Sequence, residues 1–114
     1  MANTEQWLAQ LRKGVVELAI LRLLRARREL HGYALVKELL SLGPIIAGES
    51  TVYPSVKRLE ADGLLTSRWG EATSGPPRKY YALSTDGAKF LETAEEEWAA
   101  IVESMSRTEK GVPS

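Results

Sequence analysis

The chain contains no cysteine and a single histidine among its 114 residues. The lack of cysteine excludes disulfide bonds and thiolate metal sites, and one histidine is too few for a histidine-based zinc site. The sequence also offers no Ser/His/Asp set, no paired carboxylates in a catalytic pattern and no phosphate-binding loop. We therefore expect neither a metal nor another cofactor, and we do not expect an enzyme.

Long apolar runs are lacking as well. The most apolar stretch, residues 15–24, is interrupted by Glu17 and Arg22 and is too short to span a bilayer. The first residues lack the apolar core of a signal peptide. These absences predict a cytoplasmic protein with no membrane partner.

The formal net charge is zero, yet the two signs are unevenly distributed. Basic residues outnumber acidic ones in residues 50–80, whereas acidic residues predominate in residues 86–109. A local basic face matters more for contact with phosphates than the total charge does. The central third of the chain is therefore a candidate nucleic-acid interface.

Helical periodicity and capping residues predict four helices and one hairpin. The helices are expected at residues 11–27, 33–42, 50–63 and 85–107, and the strands at residues 64–69 and 79–83. Trp7 is expected in a short turn before the first helix, His31 at the start of the second helix as a structural or capping residue, and residues 45–47 in a short strand or link.

This order of elements predicts an α+β, mainly helical fold, a winged helix-turn-helix with a C-terminal dimerisation helix. We expect residues 1–83 to form the DNA-binding domain and residues 84–110 to form the dimerisation helix. Within the second strand, alternation favours Tyr81 and Leu83 as core residues.

The third helix and the hairpin are the expected DNA-binding elements, because a helix in the major groove places its N-terminal residues near the base edges. Hydroxyl groups and cations there can bond to phosphates or bases. The candidate DNA-binding residues of the helix are Ser50, Thr51, Tyr53, Pro54, Ser55, Lys57 and Arg58. Those of the hairpin are Ser74, Gly75, Arg78, Lys79 and Tyr80. Two alternatives stay open: the charges are ordinary solvated groups, or the chain is a winged-helix module that binds protein without binding DNA.

The last helix carries a heptad seam that predicts a homodimer. Its residues Leu91, Ala94, Trp98, Ile101 and Met105 are spaced 3, 4, 3 and 4 apart. So long a helix has few neighbours in a short chain, and a second copy is the simplest partner. Trp7 and Leu11 of the N-terminal region complete the predicted interface. The alternative is that the helix packs entirely within its own domain.

Trp98 follows an acidic run and marks a candidate ligand site. A large aromatic ring beside carboxylates can hold a flat aromatic ligand by stacking and cation–π attraction. The predicted ligand-binding residues are Trp98, Glu95 and Val15, and the predicted effector is a small aromatic molecule. The alternative is that Trp98 only fills the dimer interface and that the acidic run is a solvated helix face.

Several motifs, in this order, resemble the PadR family of bacterial winged-helix regulators. They are Leu11-Arg12-Lys13-Gly14, His31-Gly32-Tyr33, Thr51-Val52-Tyr53-Pro54 with Lys57-Arg58-Leu59-Glu60, and Arg78-Lys79-Tyr80-Tyr81-Ala82-Leu83-Ser84. The resemblance covers about residues 8–105.

The resemblance implies a homodimeric transcriptional repressor of the short subfamily, with a double-stranded DNA operator as its partner. It implies that the Tyr-Pro helix reads the major groove, that the Arg-Lys-Tyr-Tyr strand lies in the wing, and that the first and last helices build the dimer. Similar multidrug-sensing members hold a ligand between paired tryptophans, and Trp98 occupies the matching place. Val102 stands where an acid would favour cationic drugs, which puts that preference in doubt. A ligand is expected to change the angle between the two DNA-reading helices and release the operator.

Overall fold

The structure, a computed structural model, describes residues 3–43, 49–71, 75–109 and 111. Its elements are α1 (Thr4–Arg27), β1 (Glu29–His31), α2 (Gly32–Leu40), α3 (Glu49–Ala61), β2 (Leu65–Gly70), β3 (Arg78–Leu83) and α4 (Thr85–Glu109). This architecture confirms the predicted α+β, mainly helical fold. None of the helices in these described ranges is both long and apolar enough to cross a membrane.

Helix α1 begins seven residues earlier than the sequence predicted, so Trp7 lies within the helix and the prediction of a preceding turn is wrong. The reason is a cap at Asn3, whose side chain accepts a hydrogen bond of 2.8 Å from the backbone N–H of Glu5. The apolar pattern does not reveal this start, because the first turns are mostly exposed. The buried residues of α1 lie further on, from Val16 to Leu24.

Helix α2 begins at Gly32 and ends at Leu40, two residues before the predicted end. His31 caps it, since its Nδ1 atom accepts a hydrogen bond of 3.1 Å from the backbone N–H of Ala34. The capping role predicted for this histidine is confirmed. The extended link predicted at residues 45–47 lies outside the described residues.

Within the described ranges the sheet has three antiparallel strands in the order β1-β3-β2, where the sequence predicted a two-stranded hairpin. Strand β1 pairs Leu30 with Tyr81, and β2 pairs Ser67 with the same tyrosine. A segment of only three residues is too short to show an alternating pattern, and its pairing depends on backbone groups alone.

The core is formed by apolar side chains from α1, α2, α3 and β2, together with Leu91 of α4. Leu91 is only 1% exposed, so its predicted place in the dimer seam is wrong. The heptad spacing that predicted the seam begins at Leu91, on the face by which α4 packs against its own chain. The first two turns of α4 therefore belong to the same packed body as the preceding elements, and the division at residue 84 stays a prediction.

Candidate nucleic-acid interface

One face of α3 is exposed and carries four of the seven α3 residues that were predicted to bind DNA. Ser50, Tyr53, Pro54 and Lys57 are all exposed and follow helical spacing along this face. The opposite face is buried in the core through Val52, Val56 and Leu59. Because the buried face fixes the rotation of the helix, the four exposed residues form a stripe, which we call the α3 stripe, that is free to meet a groove of DNA.

The remaining predicted residues of α3 lie on the edge that faces α1. The hydroxyl of Ser55 donates a hydrogen bond to the carbonyl oxygen of Thr51, with 3.1 Å between the two oxygen atoms. Arg58 donates from Nε to Glu17 of α1 at 3.0 Å, and this hydrogen bond raises the pKa of Arg58. Arg58 is thus oriented toward α1, which leaves Lys57 as the cation of the α3 stripe.

Arg78 lies in the hairpin of β2 and β3, here called the wing, and contacts the capping histidine of α2. Its Nη1 atom lies 3.0 Å from Nε2 of His31. A neutral imidazole has one donor and one acceptor nitrogen, and Nδ1 already accepts from Ala34. The N–H of Ala34 and the guanidinium of Arg78 therefore compete for the single acceptor nitrogen of a neutral His31 ring, so the contact does not hold Arg78 firmly. Arg78 is exposed and remains able to meet a phosphate.

Lys79 and Tyr80 lie on opposite faces of β3, as the alternation predicted. Lys79 approaches Glu60 of α3 at 3.4 Å and lies 5.5 Å from the ring centroid of Tyr81. The ring of Tyr80 meets the ring of His31 edge-on, with 5.6 Å between the centroids, and the guanidinium of Arg68 lies 4.8 Å from the centroid of the Tyr80 ring.

In the loop between the two strands, Gly75 is exposed with φ at +84°, a conformation that favours glycine. Ser74 lies outside the described residues.

Sequence reasoning missed Glu60, which joins α3 to the hairpin of β2 and β3. Its carboxylate accepts hydrogen bonds from Ser67 of β2 and Lys79 of β3. The hydrogen bond from Ser67 is the main cause that lowers the pKa of Glu60. The sequence indicated only an acidic residue on a helix surface, and no local pattern reveals a partner on a later strand.

A groove of about 800 Å³ lies between α1 and α4, away from the α3 stripe, and is mainly apolar. Val15 and Trp98 both line it, and their role in ligand binding stays a prediction. Glu95 does not line it, and the prediction that Glu95 faces the ligand site is contradicted. Its carboxylate accepts hydrogen bonds from Arg22 at 2.9 Å and Arg25 at 2.8 Å instead.

The other predicted interface residues lie along this groove or beyond it. Leu11, Ala94 and Ile101 line the groove, while Trp7 and Met105 are exposed. The groove's carboxylates belong to Glu17, Asp62 and Glu97. The sequence shows the acidic run but not which of its carboxylates lines the groove with Trp98, because that depends on the bonds that Arg22 and Arg25 of α1 make to Glu95.

Three helices followed by a β-hairpin, with the third helix exposing one face beside the hairpin, define a winged helix-turn-helix. The sequence model of the transcriptional regulator PadR-like family matches residues 20–93. The chain therefore belongs to the PadR-like family of transcriptional regulators, as the motifs indicated, and it is a DNA-binding regulator.

Solved structures of the family agree with this assignment. A PadR-like transcription factor from Bacteroides fragilis is 36% identical, with a TM-score of 0.72 over 88% of this chain and 95% of its own. A PadR family regulator from Eggerthella lenta is 33% identical, with a TM-score of 0.72 over 92% and 87% of the two chains. A PadR-like regulator from Bacillus cereus is 28% identical, with a TM-score of 0.77 over 90% and 99%.

Proposed function

We propose that the chain is a homodimeric repressor that binds a palindromic operator and is released by a small aromatic ligand. The observation that carries the proposal is the α3 stripe, with Lys57 at its C-terminal end and Arg78 on the neighbouring wing. Hydroxyl and aromatic groups at the N-terminal end of the stripe suit base edges, and the two cations suit phosphates.

A dimer is supported by the apolar side chains that α1 and α4 leave exposed. Trp7, Ile101 and Met105 are each more than half exposed, although such side chains favour burial. Pairing two chains through this surface would present two α3 stripes to two half-sites, and a palindromic operator matches that symmetry.

The ligand response is proposed for the groove between α1 and α4. Trp98 offers an aromatic face, and Glu97 offers a negative charge, in a groove large enough for a drug-sized molecule. A ligand that binds better to one relative arrangement of α1 and α4 would increase the fraction of dimers in that arrangement. The same arrangement would set the distance between the two α3 stripes and hence the fit to the operator. Quenching of Trp98 fluorescence by planar aromatic compounds is the expected observation, and a flat titration across a broad panel would contradict the ligand response.

The test of DNA binding is a gel-shift series with duplexes tiled across the DNA that flanks the chain's own gene. We expect salt-dependent binding to one duplex, and a loss of at least about five-fold in affinity for Lys57→Ala and for Arg78→Ala, since each removes a charged phosphate contact. Lys89→Ala is the matched control, because Lys89 is an exposed lysine on α4 outside the proposed interface.

Unchanged affinity in both interface variants would contradict this assignment of the site. An absence of binding to every duplex, with the folded protein capturing a protein partner instead, would favour the alternative of a winged-helix module that binds protein.

A further inference from the structure

A smaller groove, of about 350 Å³, lies between the first half of α1 and the first turns of α3. Its lining residues are Ala9, Arg12, Lys13, Ser50, Thr51, Pro54, Ser55 and Arg58. Three of these residues are cations, three carry hydroxyl groups and none is a carboxylate. We propose that this groove, here called the α1–α3 groove, receives a backbone phosphate of the bound DNA and that Lys13 contacts that phosphate.

The position of the groove supports a DNA phosphate as the occupant. Ser50 and Pro54 belong both to the groove lining and to the α3 stripe. The groove is therefore continuous with the surface proposed to face the bases. The wing is joined to the other side of α3 through Glu60 and Lys79. Cations thus flank the reading helix on both sides, an arrangement that suits the two phosphate backbones bordering a major groove.

The charge of the α1–α3 groove contrasts with that of the larger groove on the other side of α1. The larger groove is lined by Glu17, Asp62 and Glu97 and by no lysine or arginine. One helix therefore separates a cationic groove beside α3 from an acidic, apolar groove beside α4. Only the first of these attracts a phosphate, so the DNA backbone is expected on that side of α1.

Lys13 is the residue best placed to make the contact. It is exposed, and it makes no ion pair with any part of the chain that the structure describes. Arg58 lines the same groove, but its ion pair with Glu17 orients the guanidinium and offsets part of its charge, which leaves Lys13 as the better candidate. A flexible ammonium group beside a fixed guanidinium can bond an anion that arrives from solvent without first breaking an internal pair.

The openness of the groove argues for a phosphate held by a duplex rather than for a free anion. No charged side chain that lines it is buried, so a small anion would be screened by salt and only weakly held. A phosphate within a duplex that already contacts the α3 stripe needs no such strong pocket, because the remaining contacts position it.

The inference rests on the proposed DNA binding and is tested with Lys13→Gln, measured against the wild type and Lys89→Gln on the same duplex. We expect Lys13→Gln to make the negative slope of log K against log salt shallower by about one, which corresponds to the loss of one phosphate contact. The loss of affinity should be similar on an unrelated duplex of equal length, because a phosphate carries no sequence. Lys89→Gln should leave both quantities unchanged.

A second experiment locates the phosphate by replacing single linkages of the duplex with neutral methylphosphonates. At one or two linkages the wild type should lose affinity while Lys13→Gln loses none, since the charge partner is already gone. If no linkage shows this coupling and the salt slope of Lys13→Gln equals that of the wild type, the inference is overturned. Inorganic phosphate and sodium chloride at matched ionic strength are expected to weaken the binding of the duplex equally. A stronger effect of phosphate would indicate a site for a free anion instead and would contradict the inference.

These outcomes separate the inference from the function on which it rests. If the wild type binds no duplex at all, the proposed function fails. If the wild type binds and Lys57→Ala weakens it while Lys13→Gln does not, only the phosphate contact of the α1–α3 groove is wrong.

Discussion

Gly87 lies where the first turn of α4 approaches the backbone of Leu64 closely. A Cβ atom placed there would lie 1.9 Å from the carbonyl oxygen of Leu64, a backbone atom that cannot move aside alone. The same carbonyl accepts a hydrogen bond from the N–H of Ser84 at 3.0 Å, and the Ser84 hydroxyl accepts from the N–H of Gly87 at 2.9 Å. The start of α4 is therefore fixed by contacts that leave room only for glycine.

Gly87→Ala is accordingly expected to destabilise the protein by at least about 2 kcal/mol, within the range for forcing extra atoms into a packed site. Chemical denaturation followed by circular dichroism measures this change. Gly14→Ala is the matched control, because Gly14 lies mid-helix in α1 with nothing within 4 Å of its added Cβ. That substitution should stabilise the protein by up to about 1 kcal/mol. Equal stability of the two variants would mean that the close approach at Gly87 does not exist in solution.

At this scale the sequence predicted the types of functional residue better than their partners. Lys57 is exposed on α3, and Lys79 shares its strand face with Tyr81, because both placements depend only on local periodicity. Glu95 and Glu97 are indistinguishable in the sequence. Their different surroundings depend on the arginines of α1, which lie some seventy residues earlier in the chain.

At the scale of elements, one ion-pair cluster connects α1 to α4. Glu95 accepts hydrogen bonds from Arg22 and Arg25, and the bond from Arg22 is the main cause that lowers the pKa of Glu95 below its ordinary value of 4.5. A carboxyl group whose pKa is lower in the folded state stabilises the fold above its unfolded pKa. That stabilisation is lost as the pH falls through the folded pKa.

Glu95→Gln should therefore lower the melting temperature at neutral pH and in low salt, and the difference from the wild type should disappear at pH values well below 4.5. Thermal melts across this pH range make the measurement, and high salt should shrink the neutral-pH difference because the pair is exposed. Glu96→Gln is the control, since Glu96 is an exposed neighbour on the same helix. A difference that persists unchanged into acid would show that the carboxylate charge is not the cause.

The elements themselves could be predicted wherever a segment is long and periodic. The buried part of α1 and the whole of α3 follow from apolar spacing, and the hairpin follows from its Gly/Pro-rich connection. The start of α1 at Thr4 and the three-residue strand β1 could not be predicted, because they depend on one capping side chain and on pairing with a distant strand.

At the scale of the whole molecule, α4 continues well beyond the core that anchors it. Its buried residues are Gly87 and Leu91, whereas Ile101 and Met105 are 55% and 60% exposed. The molecule is elongated, with extents of 57 × 34 × 22 Å. An apolar stripe on the later turns of such a helix is stable in water mainly when a second chain covers it, which is the reason to expect a dimer.

Ile101→Gln is expected to weaken the proposed dimer at least about ten-fold, because a symmetric interface on this stripe would bury two copies of the side chain and each buried isoleucine contributes about 1.5–3 kcal/mol. Sedimentation velocity over a dilution series gives the dissociation constant. Ala100→Gln places the same side chain one residue away, outside the seam spacing of Trp98 and Ile101, and should leave the dissociation constant of the dimer unchanged.

Operator affinity measured over the same dilution series should fall with the dimer population, because a single chain offers only one α3 stripe. A wild type that is monomeric at every concentration and still binds the operator with full affinity would contradict both the dimer and the proposed coupling of dimer geometry to DNA binding.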